Sequence, residues 1–357
     1  CGRFGKPEDR LWQFEFVVAR GEDGKEMSEH DNIKRIVFPY ITHPGSRYGL
    51  KEDVAFPEDC ITVLRCRPFA FAARNCNKWA LGRVMLLGDA AHVFPPFGGQ
   101  GIASGFRDAS ALAWWLAVAC RPNFKPYEQL LEAWYNERKQ QLDRSLNATV
   151  ETVPSSPMIP SVRRWLEQGA RRFGMTRYTY QPGMEFIPKG ASGLFLPQIY
   201  CLPLIANNDL NKMAFTDDII FHPSKKCIFQ VLILLDKLDE TKQAAAVFED
   251  IDNPSDGELS AREATYLIHN LNERFVDPNP FTARIATAKE FAQSPLCKGR
   301  PEPRYYDEYH IKKEVKGYKY LIIRPDRLIY ASCVDKVEVD SAAKALPGLL
   351  NGETHDI

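Results

Sequence analysis

The stretch from Arg83 to Leu116 holds the densest set of groups in the chain able to receive a large polar ligand. A short apolar run at 84–87 is stopped by Gly88, the pattern of a strand buried on both faces of a mostly parallel sheet. Ligands bind at the carboxyl ends of such strands. Asp89 then stands at the strand exit, where a carboxylate accepts hydrogen bonds from the hydroxyls of a sugar-like chain. Pro95 and Pro96 lock two backbone torsions and remove two donors, whereas Gly98, Gly99, Gly101 and Gly105 carry no β-carbon and let a flat ligand lie against the main chain. Ile102 stands about where a helix should begin. From Ile102 onward, Phe106, Ala109, Leu112, Ala113 and Leu116 recur at helical spacing, so the unpaired amides of the first turn face whatever lies over the glycines. A helix start stabilises partial negative charge there by roughly 0.3–1 kcal/mol. The same residues also suit a plain turn between a core strand and a core helix, with Asp89 as an ordinary cap.

Two elements flank this loop, the strand before it and the helix after it; a further helix is expected at 127–146, where charged residues surround an apolar stripe. His92, with an unperturbed pKa of about 6.5, is of the right type for proton transfer. No carboxylate or nucleophile neighbours it in sequence, so a structural role is the better reading.

As a whole, the string Gly88-Asp89-Ala90-Ala91-His92, then Pro95-Pro96, Gly98-Gly99-Gln100-Gly101-Ile102 and the following helix, closely resembles the second flavin-binding motif of FAD-dependent aromatic hydroxylases, the p-hydroxybenzoate hydroxylase superfamily. Its phenol hydroxylase and 3-(3-hydroxyphenyl)propionate hydroxylase branch is the most similar. The resemblance implies that Asp89 contacts the ribityl chain of FAD, that Pro95 to Gly101 run along the isoalloxazine ring, and that the helix dipole faces the ring's N1 and O2 edge. It further implies NADPH or NADH as reductant, a small phenolic or related aromatic substrate, O2, and hydroxylation through a flavin hydroperoxide. Many members have Asn where this chain has Ser104 and Lys where it has Trp115. Glu137-Arg138 resembles the family's Glu-Arg pair on the following helix and reads as structural. No catalytic side chain is assigned, since the chemistry belongs to the cofactor, and no metal is expected.

The fold class expected is α/β (α+β), the C-terminal part of a p-hydroxybenzoate hydroxylase-like FAD and substrate fold followed by a thioredoxin-like domain. Residues 1–78 read as the remainder of a substrate-domain sheet, with strands at 12–18 and 61–71 and a helix at 28–40. Trp12, Phe14, Arg67 and Phe69 are candidates to line the substrate, although aromatics on a half-buried strand are ordinarily core. Residues 79–183 form the end of the FAD-binding domain, with a basic helix at 161–173 beyond a proline-rich break. Residues 184–357 carry the second architecture: a strand at 228–235, helices at 240–248 and 261–274, a hairpin at 320–330 and a last helix at 341–350. It has no Cys-x-x-Cys, so dithiol chemistry is not expected there.

Composition fits a folded chain of two or more domains: 357 residues, 45% hydrophobic and 26% charged. Its 46 basic and 46 acidic residues cancel, which disfavours nucleic acid or another polyanion as partner. No apolar run approaches the roughly 20 residues of a membrane span. Nine scattered cysteines suit reduced thiols in a cytoplasmic protein, and a homodimer is the expected assembly. The chain opens at Cys1, and the family's upstream strand-Gly-x-Gly-x-x-Gly-helix unit for the ADP half of FAD is not found: Gly21, Gly24 and Gly45 lie in turn-like contexts. The expectation is an N-terminally truncated monooxygenase. The alternative is a non-catalytic remnant or partner chain that acts through its thioredoxin-like domain in protein assembly.

Overall fold

The computed structural model describes residues 2–19, 21–70, 72–94, 100–152, 191–206, 209–269, 277, 279–300, 303 and 306–350. The chain divides into two compact units, 1–72 and 73–357. The helix expected at 161–173 lies outside the described residues.

In the first unit, β1 (Gly2–Phe4) and β2 (Leu11–Gln13) form an antiparallel pair, and α1 (His30–Ile41) leads into β3 (Thr42–His43), which pairs with β4 (Val54–Ala55). The helix expected at 28–40 is α1. The strands expected at 12–18 and 61–71 are corrected. Only the portion of the first run that has a ladder partner, opposite β1, is strand, and residues 61–70 form none. Extended chain becomes strand only where another strand satisfies its amides and carbonyls. Trp12 and Phe69 are 64% and 69% exposed, so no apolar layer pins these runs.

The second unit begins with short strands: β5 (Arg74–Asn75) pairs with β8 (His92–Val93), and β6 (Ala80–Leu81) with β7 (Val84–Met85). The expectation of a parallel strand buried on both faces at 84–87 is therefore wrong. Gly82 adopts φ +56°, which closes a two-residue turn and folds 84–85 back on 80–81 as an antiparallel hairpin, leaving Val84 65% exposed. Two long helices follow, α2 (Gln100–Ala119) and α3 (Tyr127–Thr152).

A seven-stranded sheet fills the rest. Its strands are β9 (Tyr200–Pro203), β10 (Ala214–Phe215), β11 (Gln230–Leu235), β12 (Thr265–Ile268), β13 (Thr282–Ile285), β14 (Tyr320–Ile323) and β15 (Ile329–Cys333), in the order β10-β9-β13-β12-β11-β14-β15. The central trio β11, β12 and β13 is parallel and all other pairings are antiparallel. Helices α4 (Thr216–Ile220), α5 (Thr241–Val247), α6 (Ala288–Gln293), α7 (His310–Glu314) and α8 (Lys336–Leu350) complete it. The helix expected at 261–274 is corrected too: Thr265-Tyr266-Leu267-Ile268 is a strand, buried at every position between β11 and β13. Its β-branched and aromatic residues suit a sheet interior, and tertiary burial overrides the helical spacing around them.

Period-two alternation splits this sheet's side chains between two cores. Val231, Ile233, Tyr266, Ile268, Tyr320 and Ile322 face one core together with Trp114, Trp115, Trp134 and α8. Leu232, Leu267, Ala283, Ile285, Leu321 and Ile323 face the other with Ile220 and Ile311. The helices α2 and α3 and the C-terminal sheet thus share one apolar interior. A buried ionic cluster reinforces it. Arg324 makes paired bonds of 2.8 and 2.9 Å to Glu137 on α3, bonds Asp326 at 2.6 and 3.1 Å, and lies 4.9 Å from the ring centre of Trp114. The Trp114 indole donates to the same Asp326 at 3.1 Å. Burial opposes the guanidinium charge, but Asp326 and Glu137 hold its pKa above the ordinary value.

Candidate functional site

At the entry to α2, glycine chemistry and one buried carboxylate fix the loop expected to receive the cofactor. Gly88 sits in a single 3-10 turn, Gly88–Ala90, at φ +54°, a left-handed conformation that a side chain strains. A β-carbon built on Gly105 would lie 3.4 Å from the Gly88 Cα, so the turn rests directly on the helix. The left-handed backbone is the local reason for glycine at 88, whereas a β-carbon at 105 would make only an ordinary contact.

Asp108, one turn beyond Ser104 on the buried side of α2, ties the assembly together. Its Oδ2 accepts the Gly88 N–H at 3.1 Å and lies 2.7 Å from His92 Nε2. Its Oδ1 accepts Nε and Nη2 of Arg138 on α3, at 3.0 and 2.8 Å. Burial pushes the Asp108 carboxyl up, but the His92 hydrogen bond, the Arg138 charge and bonds, and the Gly88 amide together outweigh it and hold the pKa below the usual value. With Asp108 ionised, His92 donates from Nε2, while its Nδ1 is buried without a partner. The imidazole is wedged between Trp79, 5.1 Å away, and Phe94, 5.4 Å away and edge-on. A ring this enclosed suits the structural role expected of His92.

The far side of the loop is anchored to α3. The Cys76 amide donates to the Ala91 carbonyl at 2.8 Å, Asn75 bonds Asp143 at 2.8 Å and receives the Trp79 indole N–H at 2.8 Å, and the Tyr135 hydroxyl donates to the Asn77 carbonyl at 2.6 Å. Held in this way, Asp89 is exposed on the 3-10 turn. Gly101 and Ile102 lie in the first turn of α2, with Ile102 77% exposed and Phe106, one turn later, 72% exposed. Gln100 is the first residue of α2. Pro95, Pro96, Gly98 and Gly99 lie outside the described residues.

The structure therefore brings Gly88, Asp89 and the start of α2 together through residues that sequence reasoning left out of the site. The sequence signal for Asp108 was available: Ser104, Asp108, Ala111 and Trp115 share the helix face that turns inward, and a carboxylate in such a stripe requires partners. Arg138 is the chief partner, while its neighbour Glu137 points elsewhere, to Arg324. Trp115 is 1% exposed in the shared core. Of the candidate substrate-lining residues, Trp12, Arg67 and Phe69 are exposed and Phe14 is half-buried, so none is core. Among the described residues no group of three or more metal-ligating side chains occurs, and no helix is long and apolar enough to cross a membrane.

The Gly88–Ala90 turn thus combines a left-handed glycine, packing against α2 and an exposed carboxylate. Residues 47–149 match the FAD binding domain family. Through this segment the chain is similar to aromatic hydroxylases. It is 32% identical over 164 residues to a 3-(3-hydroxy-phenyl)propionate/3-hydroxycinnamic acid hydroxylase of Klebsiella pneumoniae, the match covering 46% of this chain and 26% of that protein. The Escherichia coli K12 hydroxylase of the same description is 29% identical over the same span, with the same coverage. The matched stretch is thus about a quarter of the length of these relatives. Similar solved structures include an aromatic hydroxylase from angucycline biosynthesis (18% identity, 80% of this chain and 48% of that one, TM-score 0.43). Another is anhydrotetracycline hydroxylase from Streptomyces rimosus (18% identity, 78% and 46%, TM-score 0.41). At these scores the backbones superpose only loosely.

Proposed function

We propose that this chain is part of an FAD-dependent, NAD(P)H-using monooxygenase that hydroxylates a phenolic or related aromatic ring, with Gly88, Asp89, Pro95, Pro96, Gly98, Gly99, Gln100, Gly101 and Ile102 contributing to the FAD site. The observation that carries the reading is the Asp108 clamp: one ionised carboxylate holds the Gly88 amide, His92 and Arg138, and so fixes the Gly88–Ala90 turn against α2. The described residues fit the cofactor. Gly88, left-handed, carries no side chain on the turn, and Asp89 is left open to accept from hydroxyls.

When bound, FAD supplies the redox chemistry and the activation of oxygen. The protein's own contribution is orientation and field. Asp89 would accept hydrogen bonds from hydroxyls of the bound cofactor, and the amides of the first turn of α2 would stabilise negative charge on it. Asp108 and Arg138 neutralise one another in a buried setting and keep the turn rigid. His92 moves no proton in this scheme, because its Nε2–H is committed to Asp108. The C-terminal sheet is read as a thioredoxin-like domain with an assembly role, the protein as a cytoplasmic homodimer, and the chain as the segments 1–78, 79–183 and 184–357.

Titration of the purified protein with FAD, followed by flavin absorbance and fluorescence, tests this. Asp89→Ala removes hydrogen bonds to an ionised group, each worth about 1.5–3 kcal/mol, so affinity should fall by about tenfold or more. Undiminished affinity in Asp89→Ala would remove Asp89 from the site.

A further inference from the structure

A cavity of about 140 Å³ opens at the carboxyl ends of the three parallel strands, far along the chain from the Gly88 turn. Ends of this kind are where parallel sheets bind ligands. Leu234 and Leu235 of β11, Leu267 of β12, Ile285 of β13 and Ile311 of α7 make its apolar lining. Its mouth carries two ion pairs, Asp236 with Lys312 at 2.7 Å and Glu240 with Lys319 at 2.5 Å.

Among the described residues, one polar atom of the lining has no partner. His269, directly after β12, lines the cavity, and its Nε2 is buried without a hydrogen-bond partner. The imidazole lies against Tyr309 with ring centres 4.3 Å apart, which limits its rotation. Burial, with the nearby Lys312 charge, pushes the His269 pKa down, against the pull of Asp236, Glu308 and Asp307, so the ring is neutral at pH 7.

We propose that this cavity is a second ligand site, taking a single aromatic ring that bears one hydroxyl, with the ring on Leu267, Ile285 and Ile311 and the hydroxyl on His269 Nε2. Three features select that class. The volume is close to the roughly 150 Å³ of an apolar cavity that holds benzene. Each lysine at the mouth is already neutralised by a carboxylate, which leaves no net charge to draw in an anion or cation. A hydroxyl both donates and accepts, and so satisfies a neutral imidazole nitrogen in either tautomer. The site is separate from the proposed FAD site and does not depend on it.

The test uses the full chain with its isoleucine methyl groups isotopically labelled, titrated with phenol and with toluene, and observed by methyl nuclear magnetic resonance. Phenol should shift the Ile285 and Ile311 methyls saturably and bind about 3- to 10-fold more tightly than toluene, the ratio for one neutral hydrogen bond. His269→Phe, which keeps an aromatic ring against Tyr309, should abolish that preference, and Leu234→Phe should abolish the shifts with both probes. The proposal is overturned if these methyls do not move, if phenol perturbs only other residues, if phenol and toluene bind equally, or if the preference survives in His269→Phe. The phenol and toluene comparison on the unmodified protein decides the matter even where a variant does not fold.

Discussion

Replacing Arg324 by Met should be among the most damaging single changes in the second unit. Arg324, Glu137 and Asp326 have side chains only 3–5% exposed, so the substitution leaves two carboxylates buried without their cation. Breaking a buried, hydrogen-bonded pair costs about 3–5 kcal/mol. Loss of the guanidinium over Trp114 adds about 0.5–2 kcal/mol. Removing the desolvation cost of Arg324 itself returns part of this, and an expected loss of about 3–5 kcal/mol remains. That is a large share of the roughly 5–15 kcal/mol that holds a domain together. Guanidinium chloride unfolding followed by far-ultraviolet circular dichroism measures it. A double-mutant cycle with Glu137→Gln should show strong coupling, because the neutral amide no longer needs the cation. The comparison is Lys313→Met, which breaks the exposed Lys313–Asp307 pair and should cost less than about 1 kcal/mol. If Arg324→Met is no more destabilising than Lys313→Met, the claim that this cluster joins α3 to the sheet is wrong.

Asp108 has a folded-state pKa below its unfolded value of about 3.9. Its stabilisation is therefore complete above that value and is lost as pH falls through the lower folded one. Asp108→Asn should lower the unfolding midpoint at pH 7 and flatten the acid limb, read by denaturation at a series of pH values. Gly88→Ala forces a side chain into a left-handed conformation and should cost about 1–2 kcal/mol. Gly105→Ala meets only a contact at 3.4 Å and regains helix propensity, so its thermal midpoint should stay near that of the unmodified protein; equal losses in the two variants would refute the strain argument. Lys225, held by the Ile220 carbonyl and Thr265 Oγ1, is pushed by burial, against the pull of Glu263, down to about 7. Its folded pKa is below its unfolded one, so the unfolded chain binds the extra proton between about 7 and the ordinary lysine range. Lys225 thus makes stability rise with pH across that window, and the difference between the unmodified protein and Lys225→Gln should show that rise.

The helices were the most legible part of the fold. The spacing of Phe106, Leu112 and Leu116 and the charges around 127–146 mark α2 and α3 because both helices bury one stripe against a common core. The hairpin at 320–330 was equally plain, with an apolar run on each side of Arg324-Pro325-Asp326-Arg327. Short strands were not. Val84 belongs to a hairpin only because Gly82 turns, and Thr265 to Ile268 is a strand only because β11 and β13 flank it; neither partner is local in sequence. In the candidate site, the positions of Gly88, Asp89 and the start of α2 could be read from composition and order, but the clamp could not. Asp108, His92 and Arg138 are separated by 16 and 30 residues, and such separations acquire meaning only when helices pack.

The enclosure of His92 has an optical consequence. Trp79, 1% exposed, stands 5.1 Å from the imidazole and 6.4 Å from Trp134, with its indole nitrogen fixed to Asn75. An indole emits according to the polarity and charge of its immediate surroundings, and a neighbouring imidazole quenches it to a degree that depends on distance and protonation. Because the same imidazole is bonded to the carboxylate that holds the Gly88 turn, the emission of Trp79 should respond to the state of that turn. The fold thus carries its own fluorescent gauge, built from residues that serve first as core.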